Sequence, residues 1–233
     1  MMKHLELFTF DIRFQFRHGF YAAYALVSIV YICLLLLVPA SYVKQTSILI
    51  IFTDPSVLGF FFVGGLVLLE KDQSIFNTLF VSPIRIHDYL ISKVLSLTIL
   101  ATVSSSIIFI AVHQLHVDYL PFLIAVMLCS IFFTLLGISL AVRVDNVNMF
   151  LYTSPLFIII FYLPLLSFFK LTDSLLLHLL PTQAILILLE GAFDSLTVQD
   201  YIYVIVIFIP WISCAYVLTY YSFQRFLRKK IFS

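Results

Sequence analysis

The sequence predicts an all-α polytopic membrane protein, and three observations carry that expectation. Of its 233 residues 63% are hydrophobic and 11% charged, and the mean hydropathy is +1.13, leaving too little polar side chain to cover a water-soluble globule. The apolar residues gather in windows of about 20, the length at which a helix crosses a bilayer. Lys and Arg cluster between alternate windows, as they do in loops that stay on the cytoplasmic side.

Six spans are expected, at residues 20–38, 47–69, 94–112, 122–142, 147–169 and 201–221. Pro39 closes the first. Asp54-Pro55 interrupts the second; the proline implies either a kink or a helix start capped by Asp54, and both options place Asp54 near an interface. Pro155, Pro164 and Pro210 fall inside the last two spans, which membrane helices tolerate. In the leader, Leu5, Phe8, Ile12 and Phe16 recur at helical spacing while Lys3, Glu6, Arg13 and Arg17 fall elsewhere, predicting a helix lying along the interface. Residues 175–180 and 184–189 are too short to cross and are divided by Pro181, so they read as re-entrant or interfacial elements.

The basic residues orient this arrangement. Lys3, Arg13 and Arg17 precede the first span, Lys71, Arg85 and Lys93 lie between the second and third, Arg143 separates the fourth and fifth, and Arg225, Arg228, Lys229 and Lys230 follow the sixth. Only Lys44 and Lys170 fall on the other side, so both termini are expected in the cytoplasm of a cell carrying this chain in its inner membrane. A cleaved signal peptide is not expected, because the first apolar stretch is long and its leader carries Glu6 and Asp11. The chain is expected to form a single transmembrane unit: an interfacial helix (1–18), spans 1 and 2 (20–69), a polar loop (70–93), spans 3 to 5 (94–169), an outer re-entrant segment (170–200), span 6 (201–222) and a basic tail (223–233). Cys33, Cys129 and Cys214 sit in apolar windows and read as small hydrophobes.

The loop 70–93 carries the most specific information. Ile75, Phe76, Leu79 and Phe80 mark one face of a short helix, Lys71, Asp72, Gln73, Ser74, Asn77 and Thr78 cover the rest, and Pro83 ends it. Such a helix suits a partner's groove, and an ordinary interfacial helix has the same periodicity. Residue identity separates the two. Glu70-Lys71-Asp72, then Leu79-Phe80-Val81-Ser82-Pro83-Ile84-Arg85, then Asp88-Tyr89-Leu90-Ile91-Ser92-Lys93 resembles the signature of type-2 ABC transporter permeases. Within that family, residues 60–71 and the leader 11–20 are most similar to a subgroup of fluoroquinolone export permeases.

The resemblance implies that Glu70, Lys71, Asp72, Gln73, Ile75, Phe76, Leu79, Phe80 and Pro83 form or flank a coupling helix seated in a separate ATPase subunit. It also implies that a second permease chain, as a homodimer, completes the export path. ATP and Mg would then be bound by the partner ATPase, with no cofactor on this chain. The family usually places Gly-Thr-Leu where this chain has Ser74-Ile75-Phe76, and a start without glycine is expected to be stiffer.

The function classes narrow accordingly. No Gly-x-x-x-x-Gly-Lys-Ser/Thr phosphate loop occurs, so the chain is not expected to be an ATPase or any other enzyme. His113, His116 and Asp118 have a spacing that a metal site can use, and solvated loop histidines explain them better; no metal site is expected. Glu190 and Asp54 read either as recognition carboxylates or as charges capping helix ends. Aromatic and small polar groups suited to an amphipathic cargo are Tyr24, Ser28 and Tyr31 on the first span, Phe60, Phe61 and Gly64 on the second, and Tyr152, Ser154 and Tyr162 on the fifth. Gly59, Gly64 and Gly65 suit close helix packing equally well. The expected function is export of drugs or other amphipathic compounds. A permease for haem or a cell-envelope lipid or glycan, and a stand-alone membrane protein or intramembrane enzyme, are the alternatives. Lipids are expected to surround the chain, and no nucleic acid is an expected partner.

Overall fold

A computed structural model describes residues 2–76, 85–113, 117–172 and 174–231, with side chains from 6 to 228. Expected features at Leu79, Phe80, Pro83 and His116 lie outside the described residues. The described residues form helices and no strands: α1 (Met2–Arg17), α2 (Phe20–Leu37), α3 (Ala40–Thr53), a π-helical turn (Asp54–Leu58), α4 (Gly59–Asp72), α5 (Ile86–His113), α6 (Tyr119–Ala141), α7 (Val147–Tyr162), α8 (Leu165–Phe168), α9 (Leu175–His178), α10 (Pro181–Gly191) and α11 (Val198–Ile231). Five stretches are long and apolar enough to cross a bilayer, and α7 is a shorter apolar helix of the same character. The chain is a multi-pass membrane protein.

The axis of the bundle is α6. Its most hydropathic window is 72% buried, against 17% for α2 at the periphery. It packs on α4, α5, α10 and α11, and a glycine sets its closest approach: a Cβ on Gly137 would lie 2.7 Å from the Phe60 carbonyl oxygen and 2.5 Å from a Val63 methyl. Only a hydrogen fits there, so α4 and α6 touch backbone to side chain. Gly64, anticipated as a packing residue, does the same for α7, whose Phe150 ring occupies the space of its absent Cβ. Gly65 has open space around it.

Of the two options for the second span, the helix start at Asp54 is not taken: the chain runs in helical conformation from Ala40 to Asp72, and the irregularity at Pro55 takes the form of the π turn. Widening the turn by one residue accommodates Pro55, which a regular helix would exclude for want of an N–H. Asp54 therefore lies inside the bundle, about 15 Å from the level of Lys44 and about 24 Å from that of Glu70 at 1.5 Å per residue. In α7, Pro155 lies within the helix, where the Thr153 hydroxyl donates to the Met149 carbonyl at 2.7 Å and the Ser154 hydroxyl to that of Phe150. Hydroxyl back-bonding of this kind recurs where proline interrupts membrane helices. The fifth span then ends earlier than expected, at Tyr162, and Pro164 opens the separate turn α8.

The segment before α11 packs into the bundle. Pro181 occupies the first turn of α10, and nearly every residue of that helix is buried against α6, α11 and α3. The leader helix α1 docks on α5 with Leu7, Asp11, Phe14 and Gln15 buried, while Phe16 is 72% exposed. The face turned to the protein is thus partly polar, and Phe16, read from periodicity as part of one apolar stripe, faces away.

Candidate functional site

The Glu70 end of the bundle holds a buried ion triad. Lys93 of α5 donates to Asp11 of α1 at 2.5 Å and to Glu70 of α4, and the three side chains are 0%, 5% and 1% exposed. Ser92 donates to the second oxygen of Asp11, and the Tyr89 hydroxyl to the second oxygen of Glu70 at 2.6 Å. The ammonium also lies 5.7 Å from the Phe14 ring centroid and 5.4 Å from that of Tyr89. Beside the triad, Gln15 donates to Ser96 at 2.7 Å. Charges removed from water cost several kcal/mol each unless paired and hydrogen-bonded, and here each carboxylate oxygen of Glu70 and Asp11 has a donor. The consequence is mechanical: α1, α4 and α5 are locked together at one level.

Glu70 was placed by resemblance on the coupling surface; its carboxylate instead faces inward, toward Lys93 and Tyr89. The neighbouring positions divide between interior and surface. Lys71 donates to the Val144 carbonyl at 2.6 Å and lies 4.7 Å from the Phe226 ring, reaching the turn between α6 and α7 and also α11. Phe76 is 1% exposed, with the rings of Tyr89, Phe223 and Phe226 at 5.8, 5.6 and 5.7 Å. It is packed on the bundle and does not face outward as part of a docking stripe. Ile75 is half-buried, and Asp72, Gln73 and Ser74 are exposed.

Ser74 has φ 56°, the left-handed region that favours glycine. Ser74 thus takes, without being glycine, a backbone conformation that glycine adopts at least cost.

The candidate path residues fall into two groups. Tyr24, Ser28, Phe60, Gly64 and Ser154 are buried. Ser28 and Ser104 share a hydrogen bond of 2.7 Å between α2 and α5, Tyr24 meets Phe62 edge-on at 5.0 Å, and Phe60 stacks on Phe150 at 5.5 Å. Tyr31, Phe61 and Tyr162 are half-buried, and the Tyr162 hydroxyl bonds that of Ser56 in the π turn at 2.7 Å. Tyr152, by contrast, is 81% exposed on the outer face of α7 and does not join them.

Asp54, read from the sequence as a recognition carboxylate or a capping charge, accepts a hydrogen bond from Ser105 at 3.2 Å in the interior. The meeting of Asp11 and Lys93 with Glu70 escaped sequence reasoning. Its signal was present: Leu7, Asp11 and Phe14 share a helical face, so an acidic residue stood on the side that must pack.

Other singled-out residues have structural partners. His113 bonds Ser47 at 2.8 Å, Arg143 donates to Ser222 at 2.7 Å, and Asn146 caps α7 by accepting from the Met149 N–H at 2.8 Å. Lys44 pairs with Asp194 at 2.6 Å, and Glu190 ends α10 at the surface. An apolar groove of about 390 Å³ opens between α5, α6 and α11, lined by Leu90, Val94, Ile131, Leu135, Ile212 and Tyr216 among others. Its lining includes no residue of the triad or of the π turn.

A bundle of membrane-spanning helices with a leader helix locked to one end, a short buried helix packed among them and polar groups within an apolar interior is compatible with a multi-pass permease. The family model of the fluoroquinolones export permease proteins matches residues 3–231, and the chain belongs to that family. It is similar to the Fluoroquinolones export permease protein of Mycobacterium tuberculosis in strains CDC 1551 / Oshkosh and H37Rv. Each match is 27% identical over 192 residues, covering 82% of this chain and 81% of the relative.

Proposed function

We propose that the chain is the permease subunit of an ABC exporter, embedded in the cytoplasmic membrane with both termini inside. It is driven by ATP hydrolysis on separate ATPase subunits and pairs with a second copy of itself. Family membership, the names of the relatives and the 70–93 motif support an export role for amphipathic drugs. The observation that carries the coupling reading is the construction of segment 70–76. Its exposed rim, Asp72 to Ser74, is flanked by Glu70, bound into the α1–α4–α5 triad, and by Lys71 and Phe76, bound to the α6–α7 turn and to α11. A push on that rim is therefore transmitted to most of the bundle at once, which is what a two-state rearrangement of packed helices requires.

Under this reading Glu70 acts as a strut that positions the rim, while Asp72 and Gln73, together with Leu79 and Phe80, supply the contact. The experiment is purification of the tagged full chain from its native membrane in mild detergent. A nucleotide-binding subunit at equal stoichiometry is expected, with ATPase activity that Leu79→Asp lowers severalfold while membrane insertion is unchanged. Transport by the chain alone, without nucleotide, would overturn the proposal.

A further inference from the structure

Asp54 differs from the other buried acids. It is 0% exposed, its Oδ2 accepts only the long 3.2 Å hydrogen bond from Ser105, and its Oδ1 has no partner. Asp11 and Glu70 share Lys93, whereas among the described residues no basic side chain faces Asp54. Ser28 of α2 bonds Ser104 at 2.7 Å, the neighbour in sequence of the Ser105 that bonds Asp54, and Tyr24 and Tyr31 lie about one turn to either side of Ser28 on α2. The Tyr24 hydroxyl is itself buried and without a partner. On the same π turn, Ser56 holds the Tyr162 hydroxyl.

An ionisable group at this depth is costly and is retained for a function, and π-helical turns within α-helices frequently occur at functional sites. A buried carboxyl group with no internal cation, on a level with two phenols of the neighbouring helix, suits an organic cation: the arriving charge offsets the cost of the ionised carboxylate and ring faces add cation–π attraction. An alkali cation or a protein-bound metal would instead need several oxygen ligands converging on one point.

We propose that Asp54, with Tyr24 and Tyr31, is the subsite that binds the positively charged group of a lipophilic organic cation in the export path. This deepens the permease reading and rests on the path it assigns to α2, the second span and α7. In the arrangement described here the subsite is closed, and the π turn is the element whose rearrangement admits the cargo.

The test uses the full chain in lipid nanodiscs, with saturable binding of radiolabelled tetraphenylphosphonium measured against empty nanodiscs. Tetraphenylborate, equal in shape and opposite in charge, is the competitor. No ATPase is present, so failure here leaves the coupling reading untouched, and failure of co-purification leaves this measurement intact. Asp54→Asn is expected to weaken tetraphenylphosphonium binding at least tenfold and Tyr24→Leu, which removes the ring, a few-fold, with tetraphenylborate failing to compete. Ser105→Lys, which tethers an ammonium beside the carboxylate, is expected to abolish binding and serves where Asp54→Asn does not yield a folded particle. Absence of saturable binding to the wild type, equal affinity in the wild type and Asp54→Asn, or unchanged affinity in Ser105→Lys would each overturn the proposal.

Discussion

Replacing Lys93 with methionine should be far more damaging than replacing either acid it binds. The triad contains two carboxylates and one ammonium, all no more than 5% exposed. Removing the lysine leaves two like charges facing each other without water, and breaking a buried pair in this way costs about 3–5 kcal/mol. At about 2–4 °C per kcal/mol for a chain of this size, melting in detergent should fall by about 6–20 °C. Glu70→Gln leaves Asp11 and Lys93 as a balanced pair, and the Tyr89 hydroxyl still finds an amide oxygen to donate to, so its cost should be about 1 kcal/mol. The double variant Lys93→Met with Glu70→Gln should recover part of the loss, because one uncompensated carboxylate is removed. Fluorescence-detected size-exclusion chromatography after heating reads all three. If Lys93→Met melts with the wild type, or Glu70→Gln costs as much as Lys93→Met, the triad does not hold α1, α4 and α5 together in the way described.

Three further outcomes are expected. Gly137→Ala should cost about 1–3 kcal/mol, since its new methyl meets the Phe60 backbone at 2.7 Å and overpacking of that kind cannot relax by a rotamer change; Gly65→Ala, inside a helix with open space around it, should instead stabilise by about 0.5–1 kcal/mol. Ser74→Gly should raise stability by about 0.5–1 kcal/mol, the left-handed strain relieved less the added freedom of the unfolded chain, and a lowered melting temperature would contradict the strain. Tyr162→Phe should cost no more than about 1 kcal/mol, because Ser56 retains a 2.7 Å hydrogen bond to the Phe52 carbonyl; the same thermal assay checks both.

The helices were readable because each is a long apolar run, a local property that composition and length reveal. Their ends were less readable. Span five was carried to residue 169, but Pro164 separates α8 from α7, and span six runs on as one helix to Ile231, well past the apolar window that announced it. Segment 70–93 was legible by residue identity as a family motif, yet the facing of its side chains was not. Periodicity groups Ile75 with Phe76 on one face and cannot say whether that face meets a partner or the chain's own α11. Asp54 beside Pro55 looked like a helix boundary because those two residues usually form one, and the π turn that absorbs both is stabilised by what packs around it.

The sequence alone determined the class of protein: a chain this apolar must satisfy its backbone within helices and take lipid as solvent, and the spacing of its charges allows few other topologies. It also determined the family, through a polar motif whose residue identities are specific. Only the tertiary structure decided which charges are paired. Asp11, Glu70 and Lys93 come from three helices and meet because α1 folds back beneath the bundle, whereas Asp54 finds no such partner. Pairing depends on helix packing between segments distant in sequence, and that relation is absent from any local pattern of residues.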